Sequence, residues 1–521
     1  MESKKKLYRL FVLVFGILFC ISCKTELNDN IQKIDRKPDI EPDYSDVTIP
    51  PNIAPMNFSI REEGDFFNVI ATSGLSGYQI KIKSSHGMIR FPEKLWRKLV
   101  NESMGDTIEF QIYASIKQGG AIEEYNPFSM IVARERIDPY LVYRLIHPGY
   151  YSWSNIKIVQ RSLESFREES LVENQILDKN CANCHSFNRN NADRFLIHIR
   201  GSLGGTYFVE DGKITRTDPK IDEMPGSATY PSWHPEGRFV AFSSNQVRQS
   251  FYSVQKRIEV FDLISSIILF DRKTNEIITV TETDTTKYLR TFPSWSPDGK
   301  YLYYCRAVQH INAADQTLEQ IMMTHYDIVR KSFDSESRAF GETEIVFNAS
   351  AINKSASFPR ISPDGKYLVF TLDDYGTFPI WHQEADLWLL DLQTKQAQKM
   401  SLNSDKTESY HTWSSNGRWL VFSSKRLDGR SARPFFAYID SLGNQSKEFV
   451  LPQRDPEHYD RMLESFNIPE FVNGRIKLGP SDFAAATRQT SVKAKPGNKS
   501  GEPGQKAKDI KLKKSDGLIH E

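Results

Sequence analysis

The 521-residue sequence has few cysteines, little net charge and few helix-forming runs. A formal net charge of +1 gives no indication of a nucleic-acid partner, which would call for a basic surface. Only five cysteines are present, and no pair remains for a structural disulfide once each is assigned. Short alternating segments, with 12% aromatic residues, predict a mostly β fold that is long enough for two or three domains.

The N-terminus carries a basic start, MESKKK, followed by an almost wholly apolar run over residues 7–21. This length is typical of a signal peptide and short for a membrane span. The run ends in CISC, and the signal segment 1–23 resembles a lipobox, in which cleavage before Cys23 removes Cys20 and leaves Cys23 as the new, lipidated N-terminus. An ordinary secretory signal is the alternative. The resemblance implies a protein anchored by lipid in the bacterial cell envelope, at the outer membrane, on its periplasmic or surface face.

Composition divides the rest of the chain into five parts. Residues 24–50 are polar and contain proline, which predicts a tether. Residues 51–140 show alternating strands of the kind found in an immunoglobulin- or fibronectin-like β-sandwich. Residues 141–185 are predicted to be a helical linker that ends in the motif described next. Residues 186–485 hold sequence repeats, and residues 486–521 are predicted to be a disordered basic tail.

The sequence CANCH at residues 181–185 is a CxxCH motif, the signature of covalent c-type haem. Cys181 and Cys184 would form the two thioethers, and His185 would bind the iron from the same helical turn. Residues 162–178 are predicted to be the helix that leads into this turn. A zinc site would need a second ligand cluster, and a redox dithiol would need a βαβ unit; neither pattern is present.

The second axial ligand of such a haem has three candidates in the sequence. Met224, which follows the motif beside a proline, resembles the distal ligand of small cytochromes c; His198 is suggested by its strand position, described below, and His234 is a third option. An open coordination site is the remaining possibility. Each residue also has a structural explanation: a core histidine, a loop methionine and a turn histidine, respectively. Cys305 lies in the apolar run YLYYC and is interpreted as a buried free thiol.

Four segments repeat the same pattern of an aromatic start, a tight turn and a strand. Each turn ends in glycine, at Gly237, Gly299, Gly365 or Gly417, which predicts a positive φ there. The pattern resembles the TolB-type propeller repeat over residues 190–450, and the resemblance implies a β-propeller. The segments are YPSWHPEGRFVAF at 230–242, FPSWSPDGKYLYY at 292–304, FPRISPDGKYLVF at 358–370 and YHTWSSNGRWLVF at 410–422.

A fifth, degenerate copy places the CxxCH motif at the start of a first blade. His198 then takes the strand position that is Phe242 in the next copy, and a buried imidazole there needs a polar partner. Haem iron or a backbone carbonyl would serve. A sixth blade would be completed by residues 471–478 or by residues 156–160, so five or six blades are expected.

As a whole, the chain resembles propeller lipoproteins of Bacteroidota that carry a CxxCH motif, described as TolB-like or cytochrome-type. The resemblance implies one covalent haem c and an unknown redox or envelope protein partner, and it does not define their biochemistry. Electron transfer at the envelope is the first hypothesis. A propeller scaffold that binds a protein or glycan, with a structural or sensory haem, is the alternative, and a haem enzyme with an open iron is the third.

Overall fold

The computed structural model describes residues 31–116, 120–147, 155–250, 259–280, 287–309 and 322–497. These residues form 36 strands and three short α-helices, so the fold is mostly β as predicted. The helices are α1 (Glu93–Glu102), α2 (His458–Arg461) and α3 (Pro480–Ala486). No helix of the described part has both the length and the apolar character needed to cross a membrane.

The N-terminal part is built from a seven-stranded sheet, a three-stranded sheet and α1. The two sheets share one core, in which the Phe58 ring packs edge-on against Phe110 at 6.3 Å and Phe128 at 5.9 Å. The immunoglobulin-like topology stays a prediction, whereas α1 was not expected. The larger sheet contains β1 (Ile31–Ile34), β3 (Thr48–Ile49), β5 (Phe66–Ser73), β6 (Gln79–Ser84), β8 (Thr107–Ser115), β9 (Ile122–Tyr125) and β10 (Phe128–Val132), and the smaller one β2 (Ile40–Glu41), β4 (Phe58–Ile60) and β7 (Met88–Ile89).

The tether predicted over residues 24–50 is wrong for its described part, residues 31–50. There β1 pairs in parallel with β9, and β3 pairs in parallel with β10. Tyr44 and Val47 are fully buried. The segment is polar on average, but a few of its apolar side chains pack in the core. Their burial outweighs the effect of the average composition. Cys23 and the signal segment lie outside the described residues.

Six antiparallel sheets of four strands follow, arranged as the blades of a β-propeller. Blades 1 to 5 each use four consecutive strands. They are β14 (Ala182–Phe187), β15 (Arg194–Ile199), β16 (Gly205–Glu210), β17 (Lys213–Asp218); β18 (Ala228–Trp233), β19 (Phe239–Ser250), β20 (Glu259–Asp271), β21 (Glu276–Val280); β22 (Tyr288–Trp295), β23 (Tyr301–Val308), β24 (Asp327–Asp334), β25 (Ala339–Phe347); β26 (Ser355–Ile361), β27 (Tyr367–Asp373), β28 (Asp386–Asp391), β29 (Ala397–Lys399); and β30 (Glu408–Trp413), β31 (Trp419–Ser424), β32 (Arg433–Tyr438), β33 (Phe449–Val450).

Blade 6 joins two distant parts of the chain. Its inner strand is β34 (Ser465–Val472), and its outer strands are β11 (Tyr140–Ile146), β12 (Lys157–Ser162) and β13 (Glu168–Glu173). The sequence suggested residues 471–478 or residues 156–160 as the completion of a sixth blade. Both segments overlap strands of blade 6. The ring closes where the Asn473 N–H donates to the Asn190 carbonyl of blade 1 at 2.8 Å. Closure of this kind removes the open edges of the first and last blades.

The helical linker predicted over residues 141–185 is wrong. Its residues form β11, β12, β13, a short 3-10 turn (Asn174–Ile176) and the start of β14. The predicted helix over residues 162–178 is a strand-turn-strand segment in which Leu171 and Val172 are buried. The helix propensity of this Glu-rich segment is outweighed by its pairing with β12 and by burial of its apolar side chains.

The disordered tail predicted over residues 486–521 is also wrong as far as residue 497. After α3, the strands β35 (Val492–Lys493) and β36 (Lys495–Pro496) add in parallel to the outer edges of blades 1 and 2. Two bare sheet edges supply backbone partners that composition alone does not reveal. Residues 498–521 lie outside the described residues.

Candidate functional site

The inner strands of the blades surround a central channel, and the end at which these strands begin is called the upper face here. In blades 2 to 5 the turn at the other end of the inner strand contains the predicted glycine. Gly237, Gly299, Gly365 and Gly417 have φ between 68° and 80°, which confirms the predicted turn. Within each inner strand of blades 2 to 5 there is a register shift of the β-bulge type.

An aromatic residue occupies each of these bulges and has a positive φ of 47–53°. These residues are Tyr230, Phe292, Phe358 and Tyr410. Their rings meet on the channel axis, with centroid separations of 4.6, 4.0 and 4.8 Å between successive pairs. Such bulky residues rarely adopt this conformation, so the surrounding blades must hold them in it. The channel is therefore filled by aromatic side chains at this level.

A cavity of about 30 Å³, enough for one water molecule, remains beside the rings. Residues from all six inner strands line it. They are Cys184, His185, Ser186, Tyr230, Pro231, Phe292, Pro293, Phe358, Arg360, Tyr410, His411, Ile468 and Glu470. The CxxCH motif thus reaches the propeller axis with its second cysteine and its histidine.

The motif itself adopts an extended conformation. Residues Ala182–Phe187 form β14, which pairs with β15, so the predicted helical turn is wrong. Cys184 is buried, whereas Cys181, just before the strand, is partly exposed, and neither forms a disulfide. Burial raises the pKa of the Cys181 thiol, although the charges of Arg144 and Arg200 oppose this effect.

His185 and Glu470 lie close together in the channel wall. The His185 Nε2 atom lies 3.4 Å from Glu470 Oε2, and both atoms are buried without a hydrogen bond. Burial lowers the pKa of His185 to about 3 and raises the pKa of Glu470 to about 8, although the Arg360 charge opposes the latter shift. At neutral pH the site therefore contains a neutral imidazole beside a carboxyl group that is largely protonated.

The structure separates His198 from His185. Cys184 pairs with His198 and His185 pairs with Ile197 across the β14–β15 ladder. Because paired residues share a face and consecutive residues alternate, the two histidines project from opposite faces of blade 1. The polar partner of His198 is a hydroxyl, since its Nδ1 lies 3.1 Å from Thr206 Oγ1. The two predicted iron ligands therefore do not meet.

The other two candidate ligands also lie away from His185. Met224 is buried in the apolar core between blades 1 and 2, with Leu196 and Trp233. His234 lies in the turn at the opposite end of the channel, where its Nε2 is 3.1 Å from the Gly299 carbonyl oxygen. Both residues have the structural role that the sequence allowed as an alternative.

Three polar residues of the axial cavity were not predicted: Arg360, His411 and Glu470. Arg360 and Glu470 occupy the repeat position that is serine in blades 2 and 3, and His411 replaces the proline before that position. The repeat would have revealed them as departures from its pattern. Glu470 was missed because IPEF at residues 468–471 was not recognised as a further copy of the inner strand.

The donor atoms of the motif fit a c-type haem in part. Two thiols and a neutral imidazole with an unpartnered, buried Nε2 are the groups that such a haem requires. The enclosed space is far smaller than the roughly 300–1,000 Å³ typical of small-molecule and cofactor pockets. A porphyrin at His185 would therefore require displacement of the rings of Tyr230 and Phe292 from the channel axis.

Fold and site together define the class of this chain as a mostly β protein built around a β-propeller. No protein-family model matches the sequence, and no curated protein is similar to it.

Among solved structures, the chain is similar to oligogalacturonate lyase from Vibrio parahaemolyticus, with 11% identity over 74% of this chain and 100% of that chain and a TM-score of 0.32. Prolyl oligopeptidase B from Galerina marginata has 11% identity over 66% of this chain and 42% of that chain, with a TM-score of 0.35. Hydrazine synthase from Kuenenia stuttgartiensis has 14% identity over 50% and 64%, with a TM-score of 0.29. At these values none of them bears on activity, and the propeller assignment rests on the sheets of this chain.

Proposed function

We propose that this chain is an exported envelope protein, anchored through Cys23, that carries one covalent haem c and transfers electrons to a protein partner. The observation that carries the proposal is that Cys184 and His185, consecutive residues of β14, both line the axial cavity of the propeller. The His185 imidazole is buried and neutral, and its Nε2 has no hydrogen-bond partner. Such a nitrogen is suited to binding iron.

Each residue of the motif has a defined role in this proposal. The Cys181 and Cys184 thiols would each add across one vinyl group of the haem, forming a carbon–sulfur bond while the thiol hydrogen goes to the other vinyl carbon, so that nothing leaves. His185 would bind the iron through its Nε2. A haem bound there would supply one-electron transfer, and the aromatic residues of the neighbouring inner strands would keep bulk water from it.

The test is the absorption spectrum and intact mass of the full chain, exported from a host that assembles c-type cytochromes. The wild-type chain is expected to gain the mass of one haem and to give a pyridine haemochrome spectrum. The double variant Cys181→Ser/Cys184→Ser is expected to lose all covalent haem. Cys305→Ser is the matched control, because Cys305 is a buried thiol on β23 in blade 3, and it should keep the haem of the wild type.

The proposal fails if the folded wild-type chain is colourless and has the unmodified mass under these conditions. For haem-loaded protein, reduction followed by carbon monoxide separates two kinds of function. An unchanged spectrum is expected for an electron carrier, and a shifted spectrum would indicate an open iron site and hence a haem enzyme.

The second candidate is a binding scaffold for a protein or glycan. The filled channel favours an outer surface of the propeller over the channel as the place of such binding, because the cavity holds only about 30 Å³. This function would stand if the chain lacked haem and still bound an envelope component.

A further inference from the structure

A long hairpin from blade 2 crosses part of the upper face. Strands β19 and β20 are 12 and 13 residues long and stay paired as far as Ser250 and Glu259. We call residues 245–250 and 259–265 the arm. The arm contacts blade 3, where Gln309 Nε2 donates to the Leu263 carbonyl at 2.9 Å. It also reaches the β27–β28 loop of blade 4.

His382 of that loop is fully buried where the arm meets blade 4. Its Nε2 lies 3.2 Å from Glu259 Oε2, and the other Glu259 oxygen accepts a 2.8 Å hydrogen bond from the Tyr375 hydroxyl. On the opposite side of the ring, His382 Nδ1 lies 2.5 Å from Asp373 Oδ2. The imidazole is therefore held between a carboxylate of the arm and a carboxylate of blade 4.

Asp373, His382 and Glu384 offer three ligand atoms that all lie within 4.8 Å of one another. Two of these atoms, Asp373 Oδ2 and His382 Nδ1, are buried and have no hydrogen bond despite their short separation. The two atoms lie close together, but they are not aligned as the donor and acceptor of a hydrogen bond. Two buried polar atoms in this state are costly unless a further group binds both of them.

The rest of the cluster resembles the surroundings of a metal-bound histidine. Such a histidine usually gives its second ring N–H to a carboxylate, which fixes the tautomer and turns the other nitrogen to the metal. Glu259, held by Tyr375, is placed to do this for His382. The nearby Lys354 amine pairs with the exposed Asp374, at 2.5 Å.

The cluster also favours a positive charge at this point. Three carboxyl groups, those of Glu259, Asp373 and Glu384, lie around one imidazole.

We propose that Asp373, His382 and Glu384 bind one divalent transition-metal ion, with Glu259 positioning His382. One imidazole and two carboxylates suit Zn²⁺ or Mn²⁺ and leave open coordination positions. Because Glu259 belongs to the arm, the bound ion would fasten the arm to blade 4. This site is independent of the CxxCH motif and of the haem proposal.

The probe is Mn²⁺, which prefers carboxylate and imidazole to the thiols of Cys181 and Cys184. The full chain is depleted of metal with a chelator, and binding is followed by the loss of the free Mn²⁺ signal in electron paramagnetic resonance. One Mn²⁺ per chain and coupling to an imidazole nitrogen are expected. A rise in the melting temperature on Mn²⁺ addition is expected too, since the ion binds the folded state.

Two isosteric variants and one control locate the ion. Asp373→Asn is expected to weaken Mn²⁺ binding at least tenfold, and Glu259→Gln by about 10- to 100-fold, as found for residues that orient metal ligands. Asp374→Asn removes the same charge at the adjacent position and should bind Mn²⁺ like the wild type. Circular dichroism checks that each variant is folded.

The proposal is overturned if the wild-type chain binds no Mn²⁺ at millimolar concentration, since a proton would then be all that lies between Asp373 and His382. It is equally overturned if bound Mn²⁺ shows no nitrogen coupling, or if folded Asp373→Asn binds as the wild type does. The nitrogen coupling is measured on the wild-type chain, so the proposal stays testable even if a variant does not fold.

Discussion

The side chain of Phe292 fills space on the propeller axis, and its backbone has a conformation that favours glycine. It is 3% exposed, has φ of 53° and packs on Phe358 with ring centroids 4.0 Å apart. Phe292→Ala is expected to lower the free energy of unfolding by about 3–5 kcal/mol through loss of the ring. Phe292→Gly loses the same ring but relieves the positive φ, so it should be more stable than the alanine variant by about 1 kcal/mol.

Phe242 provides the matched control for this comparison. It is fully buried at an ordinary strand position of β19. There the order should be reversed, with Phe242→Gly less stable than Phe242→Ala by about 0.5–1 kcal/mol. Urea unfolding of the four variants gives the two differences. The same sign at both positions would contradict the strained conformation of Phe292.

Asp262 of the arm gives a pH-dependent stability. It is buried and accepts hydrogen bonds from Asn245 at 2.8 Å and from the Tyr326 hydroxyl at 3.1 Å. Burial outweighs these bonds and raises the pKa of Asp262 to about 6. Between about pH 4 and 6 the folded chain keeps the proton while an unfolded carboxyl group has lost it, so stability falls as pH rises through this window.

Asp262→Asn should remove this contribution, because the amide does not titrate. The free energy of unfolding of the wild type is expected to fall relative to that of the variant by about 2 kcal/mol between pH 4.5 and 7. Urea unfolding at three pH values measures the change. Asp65→Asn, at an exposed position, serves as the control and should follow the wild type. A constant difference between wild type and Asp262→Asn would contradict the raised pKa.

Single residues show which features of the structure could be predicted from the sequence. The glycine turns could be predicted because Pro-Asp-Gly determines local backbone geometry by itself. The positive φ of Tyr230 and Phe292 could not, because no aromatic residue prefers it locally. It arises when several blades force their bulges toward one axis. The orientation of His198 away from His185 depends likewise on a strand register that a CxxCH motif does not encode.

At the level of elements, the C-terminal strands protect the outer edges of two blades. Backbone N–H groups of Ala494, Lys495 and Gly497 donate to the carbonyl groups of Asp218, Asn275 and Ile277 at 2.8–2.9 Å. A chain that ends at residue 489 loses these three hydrogen bonds and leaves both edges bare. It is expected to be about 1–3 kcal/mol less stable than a chain that ends at residue 497, and to aggregate more readily.

Thermal unfolding together with light scattering compares these two truncated chains. Both keep α3, whose Phe483 is fully buried, so the comparison isolates β35 and β36. Equal melting temperatures and equal scattering would mean that the two strands contribute nothing to the edges they cover.

Strand pairing also explains why the segment before blade 1 was wrongly predicted to be a helix. Residues 162–178 have helix-forming composition, and their strand identity comes from neighbours distant in sequence. One is β34, roughly 300 residues later, which pairs with β11 and so completes the sheet that holds β12 and β13. Local propensity carries no information about such a partner.

At the scale of the whole molecule, the N-terminal part and the propeller share one apolar core. A single cluster of buried side chains runs from Ile40 to Phe471 and includes Trp96 and Trp419. The Trp419 indole N–H also donates to the Glu135 carbonyl at 3.1 Å, across the junction. A core that is continuous across two parts of a chain predisposes them to unfold together.

Asp138 lies at this junction and tests the coupling. Its carboxylate accepts hydrogen bonds from the Ser415 backbone N–H at 2.7 Å and from the Ser415 hydroxyl at 2.6 Å. Asp138→Ala leaves both donors without this partner, at a cost of about 1–3 kcal/mol. In scanning calorimetry, one transition is expected for the wild type and one, at lower temperature, for the variant. Asp65→Ala, on the exposed surface of the N-terminal part, should change stability by less than about 0.5 kcal/mol. If the N-terminal part instead melted in a separate transition that Asp138→Ala left unchanged, the two parts would be independent domains and the junction would not couple them.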